Sequence, residues 1–198
     1  MIWDMAAPFY DIVVEIKNGK VNREAKKYVA SLCNKEDDVL ECACGTGIFT
    51  KEMAKKGRSI RATDVSQKMI QKTAKKCKEF PNVTMEYADI TNLPYPEESF
   101  DKVVAANVIH LLDEPNSAVN ELLRVCKTGG MIIIPTYILK TQTSSWFLRC
   151  LSVLGIKVKN RFYEEDYRRF FQKIGMDDVV IKNVDGNMMC SVASFRKN

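Results

Sequence analysis

Gly45-Thr46-Gly47 follows an apolar run at residues 38–43 (DVLECA) and leads into a segment of helical period at 48–56. A glycine turn between a strand and a helix lets a ligand lie against bare backbone and meet the N–H groups of the helix start. Asp64 stands seventeen residues beyond Gly47, at the end of the next strand-like run (59–63), where a carboxylate can accept both hydroxyls of a ribose. The turn and the acid together point to an adenosine-type ligand. A triphosphate-cradling loop needs Lys and Ser/Thr after its last glycine, and this turn offers Ile48 and Phe49 instead. A dinucleotide fingerprint needs a third glycine where Thr50 stands, which disfavours a nicotinamide cofactor.

Other residues offer chemistry with plainer alternatives beside it. His110, the one histidine, falls just past the fourth strand at the edge where open α/β sheets take ligands. It is either a general base or a structural cap on the helix that begins near Pro115. Tyr137, read as lying after the fifth strand, is a substrate-pocket candidate. Cys42 and Cys44 have the look of a metal pair, yet with one histidine in the chain they read as small apolar residues at a strand end, and no metal is expected. Glu97, Glu98 and Asp101 lie in a Pro-rich loop and read as solvated turn acids.

These residues must be positioned by alternating strands and helices. Strands are expected at 38–43, 59–63, 83–87, 102–106 and 131–135, with helices at 22–32, 48–56, 66–79 and 115–126. Ser66 serves as an N-cap, Pro115 lies in a first turn, and Gly57 and Gly129 lie just past helix ends. Beyond residue 141 come helices at 143–154 and 164–174, then strands at 178–183 and 188–194 joined by the Asp185-Gly186 turn. The fold expected is α/β: a Rossmann-like, doubly wound seven-stranded sheet, mostly parallel with an antiparallel C-terminal strand, and helices on both faces. One domain over 1–198 is expected, with an N-terminal arm and helix at 1–32 and a lid-like helical insertion at 141–162. In the 143–154 helix, Trp146, Cys150, Leu151 and Leu154 share a face that reads as a pocket lid, or as a membrane-surface element with Arg149 and Lys157 meeting lipid phosphates.

Composition narrows the partners. With 198 residues and 46% apolar content the chain can bury one substantial core. Its seven cysteines suit free thiols, and the early acids Asp4, Asp11 and Glu15 interrupt any secretory apolar run, so a cytoplasmic location is expected. The net charge of +5 is concentrated between Lys51 and Lys78, where ten basic residues meet two acids. Lys68, Lys72, Lys75 and Lys76 at helical spacing read as a solvated face, with phosphate contact as the alternative; no aromatic interleaves them, and no nucleic acid is expected.

Five motifs in order carry a resemblance: Ala7-Pro8-Phe9-Tyr10-Asp11; the segment from Leu40 through Gly45-Thr46-Gly47; Thr63-Asp64-Val65-Ser66; Ala88-Asp89-Ile90 with Leu93-Pro94 through Phe100-Asp101; and Leu123-Arg124-Val125-Cys126-Lys127-Thr128-Gly129-Gly130. Across residues 6–137 the chain resembles the class I S-adenosylmethionine-dependent methyltransferases, in particular the small ubiquinone/menaquinone-biosynthesis-like (type 11) branch. The resemblance implies S-adenosyl-L-methionine as cofactor and S-adenosyl-L-homocysteine as product. It implies that Glu41 meets the methionine amino group, that Gly45 and Gly47, with Cys42 and Thr46 beside them, hold the methionine moiety, and that Asp64 binds ribose with Val65 against adenine. Asp89 and Ile90 would meet the adenine edge, Asn107 the methionine part through its backbone, and Tyr10 would close over the cofactor. One departure is Ala43, where the family most often has a glycine.

The reaction implied is methyl transfer by direct displacement to a small, partly apolar acceptor, lipid-like or quinone-like. Such chemistry asks chiefly for alignment in a dry site. His110 and Tyr10 are the candidates to act on the acceptor, and peripheral membrane contact fits a lipid-like one. The rival readings are a nicotinamide-dependent oxidoreductase and a non-catalytic S-adenosylmethionine-binding module.

Overall fold

Short β-branched and aliphatic runs bounded by turn residues pair into one sheet, and the central ones are apolar on both faces, as strands covered by helices must be. The computed structural model describes residues 2–139, 158–186 and 188–198, and of residues 2 and 5–17 the backbone alone. Strands β1 (Asp38–Cys42), β2 (Ser59–Asp64), β3 (Val83–Tyr87), β4 (Phe100–Ala105), β5 (Cys126–Ile138), β6 (Val180–Val184) and β7 (Met189–Arg196) form a seven-stranded sheet of order β3-β2-β1-β4-β5-β7-β6. The first five are mutually parallel, and β7 runs antiparallel between β5 and β6. Chain order reverses between β1 and β4, so the carboxyl ends of those strands open a crevice, the place where such sheets take ligands.

Helices α1 (Ile2–Ser31), α2 (Thr50–Met53), α3 (Gln67–Lys76), α4 (Pro115–Val125) and α5 (Glu164–Lys173) accompany the sheet. Two apolar clusters cover it. One joins α1 and α2 to Val39, Val104 and Ile133. The other joins α4 and α5 to Leu40, Val103 and Ile132. These are alternate residues of β1, β4 and β5, so the sheet is buried on both faces. On α5, Tyr167 and Phe171 are fully buried, and the Tyr167 hydroxyl donates to the Ile134 carbonyl at 2.5 Å.

The expected strands and helices form, with differences that have local causes. The helix expected at 48–56 is only Thr50–Met53, because the backbone leaves Gly47 at φ +78° and reaches helical hydrogen bonding late. Ser66 caps α3, accepting from the Met69 N–H at 3.2 Å, but α3 ends at Lys76. The fifth strand is thirteen residues, not the five of 131–135: Gly129 and Gly130 pair through backbone with Lys197, so Gly129 lies within β5 and not past a helix end. Tyr137 accordingly sits in β5 and not after it. The N-terminal arm is helical from Ile2 onward, with a kink at Asn18 (φ −134°, ψ 19°). That kink is stapled to the β6–β7 connection: the Asn18 amide donates to the Met188 carbonyl at 3.0 Å, and its oxygen accepts from the Met188 N–H at 3.3 Å. The expected 143–154 helix, with Trp146, Leu151 and Leu154, and most of the 141–162 insertion lie outside the described residues.

Candidate active site

The first βα turn is shaped by three residues in left-handed backbone, Ala43 (φ 53°), Gly45 (φ 57°) and Gly47 (φ 78°). At Gly47 a Cβ would come within 3.0 Å of the Thr73 side chain, so glycine is required there for α3 to pack against the turn. The turn is tied to β2 by Asp64, whose carboxylate accepts from the Gly45 N–H at 2.8 Å through one oxygen and from the Ser66 N–H at 2.9 Å through the other. Each oxygen keeps a second lone pair for a ligand. Burial pushes the Asp64 pKa upward against these backbone hydrogen bonds.

Ala43 stands in a conformation that costs a residue with a Cβ about 1–2 kcal/mol. We therefore expect Ala43→Gly to raise the melting temperature, although glycine usually lowers it by loosening the unfolded chain. A lowered melting temperature in thermal denaturation would show that the Ala43 methyl contributes more by packing than its backbone loses.

Two lobes of a cavity meet at this turn, sharing Ala43, Gly45, Ala106 and Asn107. The larger, about 210 Å³, is walled by Asp64, Val65, Asp89 and Ile90 on one side and by Trp3, Met69, Val108, Leu111 and Leu112 elsewhere. The smaller, about 40 Å³, has a mixed lining: Asn22, Glu41, Thr46 and Tyr137 offer polar groups among Ile48, Phe49 and Ala106. Asp89 is set by its own turn, one carboxylate oxygen accepting both the N–H and the hydroxyl of Thr91 at 2.8 Å. Its loop carries no helix and is held instead by Arg124, which donates to the carbonyls of Tyr95 and Leu93 and pairs with Glu121, itself an acceptor for the Leu93 N–H. The N-terminus of α1 reaches the same rim, where Asp4 accepts from the Ser66 hydroxyl at 2.6 Å beside Trp3.

Glu41 is 1% exposed, and the Thr50 hydroxyl donates to its carboxyl at 2.5 Å. Burial raises its pKa to about 8, with Thr50 opposing the rise and Asp64 adding to it, which favours the protonated carboxyl near neutral pH. Asn107 (φ 55°) sits where the lobes join, with its side-chain oxygen buried and unpartnered among the described residues.

Of the residues singled out in the sequence, the fold thus gathers Glu41, Gly45, Thr46, Asp64, Val65, Asp89, Ile90 and Asn107 around the two lobes. Cys42 and Gly47 lie behind the lining, Cys42 fully buried. Tyr137 faces the smaller lobe beside Glu41, hydrogen-bonded to Asn22. His110 lies in a 3-10 turn (Ile109–Leu111), 5% exposed and outside both linings. Its Nδ1 is buried without a partner among the described residues, burial lowers its pKa to about 4, and it does not cap α4, whose N-cap is Glu114. Tyr10 belongs to α1 by its backbone, and its side chain lies outside the described residues. No metal-holding cluster occurs among the described residues.

A methyltransferase-domain family model matches residues 40–134, the stretch from β1 into β5 that builds both lobes. Over 210 residues the chain is 25% identical to a demethylmenaquinone methyltransferase of Paenarthrobacter aurescens, covering 95% of this chain and 82% of that one. This match and these relatives make the chain an S-adenosylmethionine-dependent methyltransferase, similar to the ubiquinone/menaquinone-like type. An uncharacterized chloroplastic methyltransferase of Arabidopsis thaliana is also 25% identical, over 71% of this chain and 42% of its own length. The magnesium protoporphyrin IX methyltransferase of Synechocystis, solved with bound S-adenosylhomocysteine, shares the fold at a TM-score of 0.69 and 17% identity, over 96% of this chain and 88% of that one. A methyltransferase from Thermotoga maritima matches over the full length of both chains at 0.72 and 18%. The residues of this methyltransferase fit the adenosylmethionine group: two carboxylates and an apolar slot in the larger lobe, a small recess with polar groups of Asn22, Glu41, Thr46 and Tyr137 in the smaller, and bare glycine backbone between.

Proposed function

We propose that this methyltransferase transfers a methyl group to a small, partly apolar acceptor of quinol-like or phenol-like character. The observation that carries the reading is the uneven wall of the larger lobe. Asp64 and Asp89 occupy one side, and Trp3, Met69, Val108, Leu111 and Leu112 present apolar surface on the others. Apolar surface buried there gains about 25 cal/mol per Å². The relatives named as demethylmenaquinone methyltransferases support an aromatic ring with a hydrocarbon body.

S-adenosylmethionine, when bound, supplies a methyl group on a positively charged sulfur. The chain's own task is to orient and to exclude water. In this reading Asp64 accepts the ribose hydroxyls with its remaining lone pairs, Asp89 takes the adenine amino group on its free oxygen, and Val65 and Ile90 flank the ring. Glu41, with Thr46, Tyr137 and Asn22, receives the amino-acid end. Leu111 and Leu112 place the acceptor against the junction at Asn107. A base with a pKa near 4 takes few protons at pH 7, so the reading assigns ionisation to the acceptor itself and leaves His110 as a neutral part of the wall behind Leu111.

The test is calorimetric and then chemical. S-adenosylhomocysteine at 100 times its Kd is expected to stabilise the protein by about 2.7 kcal/mol, with NAD and NADP inert. Turnover is then expected with catechols or hydroquinones bearing an alkyl chain and to fall when the chain is removed. Stabilisation by NAD and not by S-adenosylhomocysteine, or equal turnover of polar and alkylated acceptors, would overturn it.

A further inference from the structure

The basic stretch between Lys51 and Lys78 is sorted by the fold into two unlike halves. Lys51, Lys55, Arg58 and Arg61 are paired with Glu79, Glu52, Asp38 and Glu86. Lys68, Lys72 and Lys75 on α3, and Lys78 just after it, enter no ion pair among the described residues; Lys68, Lys75 and Lys78 are exposed and Lys72 half-buried. Positions 68, 72 and 75 fall on one helical face and Lys78 follows the helix, so four like charges lie along one stretch, with Asp4 near its start and Glu79 near its end but no carboxylate within ion-pair distance of their ammonium groups among the described residues. Repulsion among them is a standing cost that a polyanionic surface would remove.

The stripe also touches the site at both its ends. The Lys68 N–H is held by Asp4, whose neighbour Trp3 lines the larger lobe. Further along α3, Lys76 donates to the Thr46 hydroxyl in the glycine turn at 3.4 Å. A surface laid on these lysines would therefore lie beside the rim of the acceptor cavity.

We propose that the lysine face of α3 docks on an anionic lipid bilayer and so presents the cavity rim to a membrane-dissolved acceptor. The proposal rests on the apolar-acceptor reading above for its purpose and on the unpaired lysines for its physics. A bilayer suits them better than single-stranded nucleic acid because no aromatic side chain stands between residues 66 and 79 to stack a base. Near an anionic bilayer each basic residue strengthens partitioning roughly fivefold, and the effect falls off within a Debye length.

The experiment is co-sedimentation with vesicles of phosphatidylcholine alone and with about one third phosphatidylglycerol, at low and high salt. The protein is expected to sediment with the anionic vesicles only, and to be released by salt. The fourfold variant Lys68→Gln, Lys72→Gln, Lys75→Gln, Lys78→Gln is expected to partition at least a hundredfold more weakly. An equal-charge control, Lys20→Gln, Lys27→Gln, Lys35→Gln, Lys182→Gln, is expected to keep most of its binding. S-adenosylhomocysteine affinity, unchanged in both variants, reports that they are folded and keeps this test separate from the cofactor reading. Equal loss in both variants, no sedimentation with anionic vesicles, or tight salt-resistant binding to transfer RNA in place of vesicles would each overturn the docking surface.

Discussion

Asp64→Ala is expected to weaken S-adenosylhomocysteine binding between tenfold and about a hundredfold, the loss of one or two charge-assisted hydrogen bonds to the ribose. The side chain does two jobs at once. It holds the Gly45 and Ser66 N–H groups, and so fixes the glycine turn against α3, while keeping lone pairs for the ligand. Asp64→Asn is not expected to rescue binding, because its amide nitrogen would point a donor at one of two N–H donors. The measurement is isothermal titration on variants whose far-ultraviolet dichroism matches the parent. An unchanged Kd in both variants would remove Asp64 from the site.

Glu41→Gln is expected to remove the part of the pH dependence of stability and ligand binding that Glu41 contributes. The carboxyl of Glu41 has a folded-state pKa of about 8 against 4.5 in the unfolded chain, so between these values the folded protein holds the extra proton. Stability contributed by Glu41 is then full below about pH 4.5 and is lost as pH rises toward 8, by roughly 5 kcal/mol at most. His110 acts in the opposite direction: with its pKa lowered to about 4, its contribution is full above 6.5 and is lost as pH falls through 4. A cationic amino group arriving beside Glu41 favours the carboxylate, so binding near pH 6.5 should release close to one proton. Titration in two buffers of different ionisation enthalpy measures this directly, and Glu41→Gln should release none. Parent and variant with the same proton release and the same pH–stability curve would refute the buried-acid account.

The parts of the site carried by contiguous residues were legible before the fold was seen. Gly45-Thr46-Gly47, Asp64 and Asp89 each follow a strand end, and a parallel sheet brings strand ends to one edge. Trp3, Met69, Leu111, Leu112 and Asn22 were not legible as lining residues, since nothing in their own neighbourhoods distinguishes them from core. They reach the cavity because α1 lies across the rim and because the chain after β4 turns back in a 3-10 turn. The sequence signal that could have found Leu111 and Leu112 is their place directly after His110 on the ligand edge. The length of β5 was hidden for a similar reason: Gly129 and Gly130 argue against a strand until Lys197 supplies their backbone partners. Nor does local sequence show that the Glu41 pKa is raised, which follows from its enclosure by β2 and the turn before α2.

The position of β7 has a consequence for how the molecule is made. Seven of its eight residues are buried, and it separates β5 from β6, so the segment that leaves the ribosome after all the other strands belongs in the interior of the sheet. Until residue 196 has emerged, the nascent chain must hold a thirteen-residue β5 with one unpaired edge, and an open apolar edge recruits foreign strands. The Asn18 staple waits for the same event, because its partner Met188 immediately precedes β7. Until then the kink of the arm lacks the Asn18 staple that fixes it. A chain released before β7 is made would keep that β5 edge open and be prone to aggregate through it.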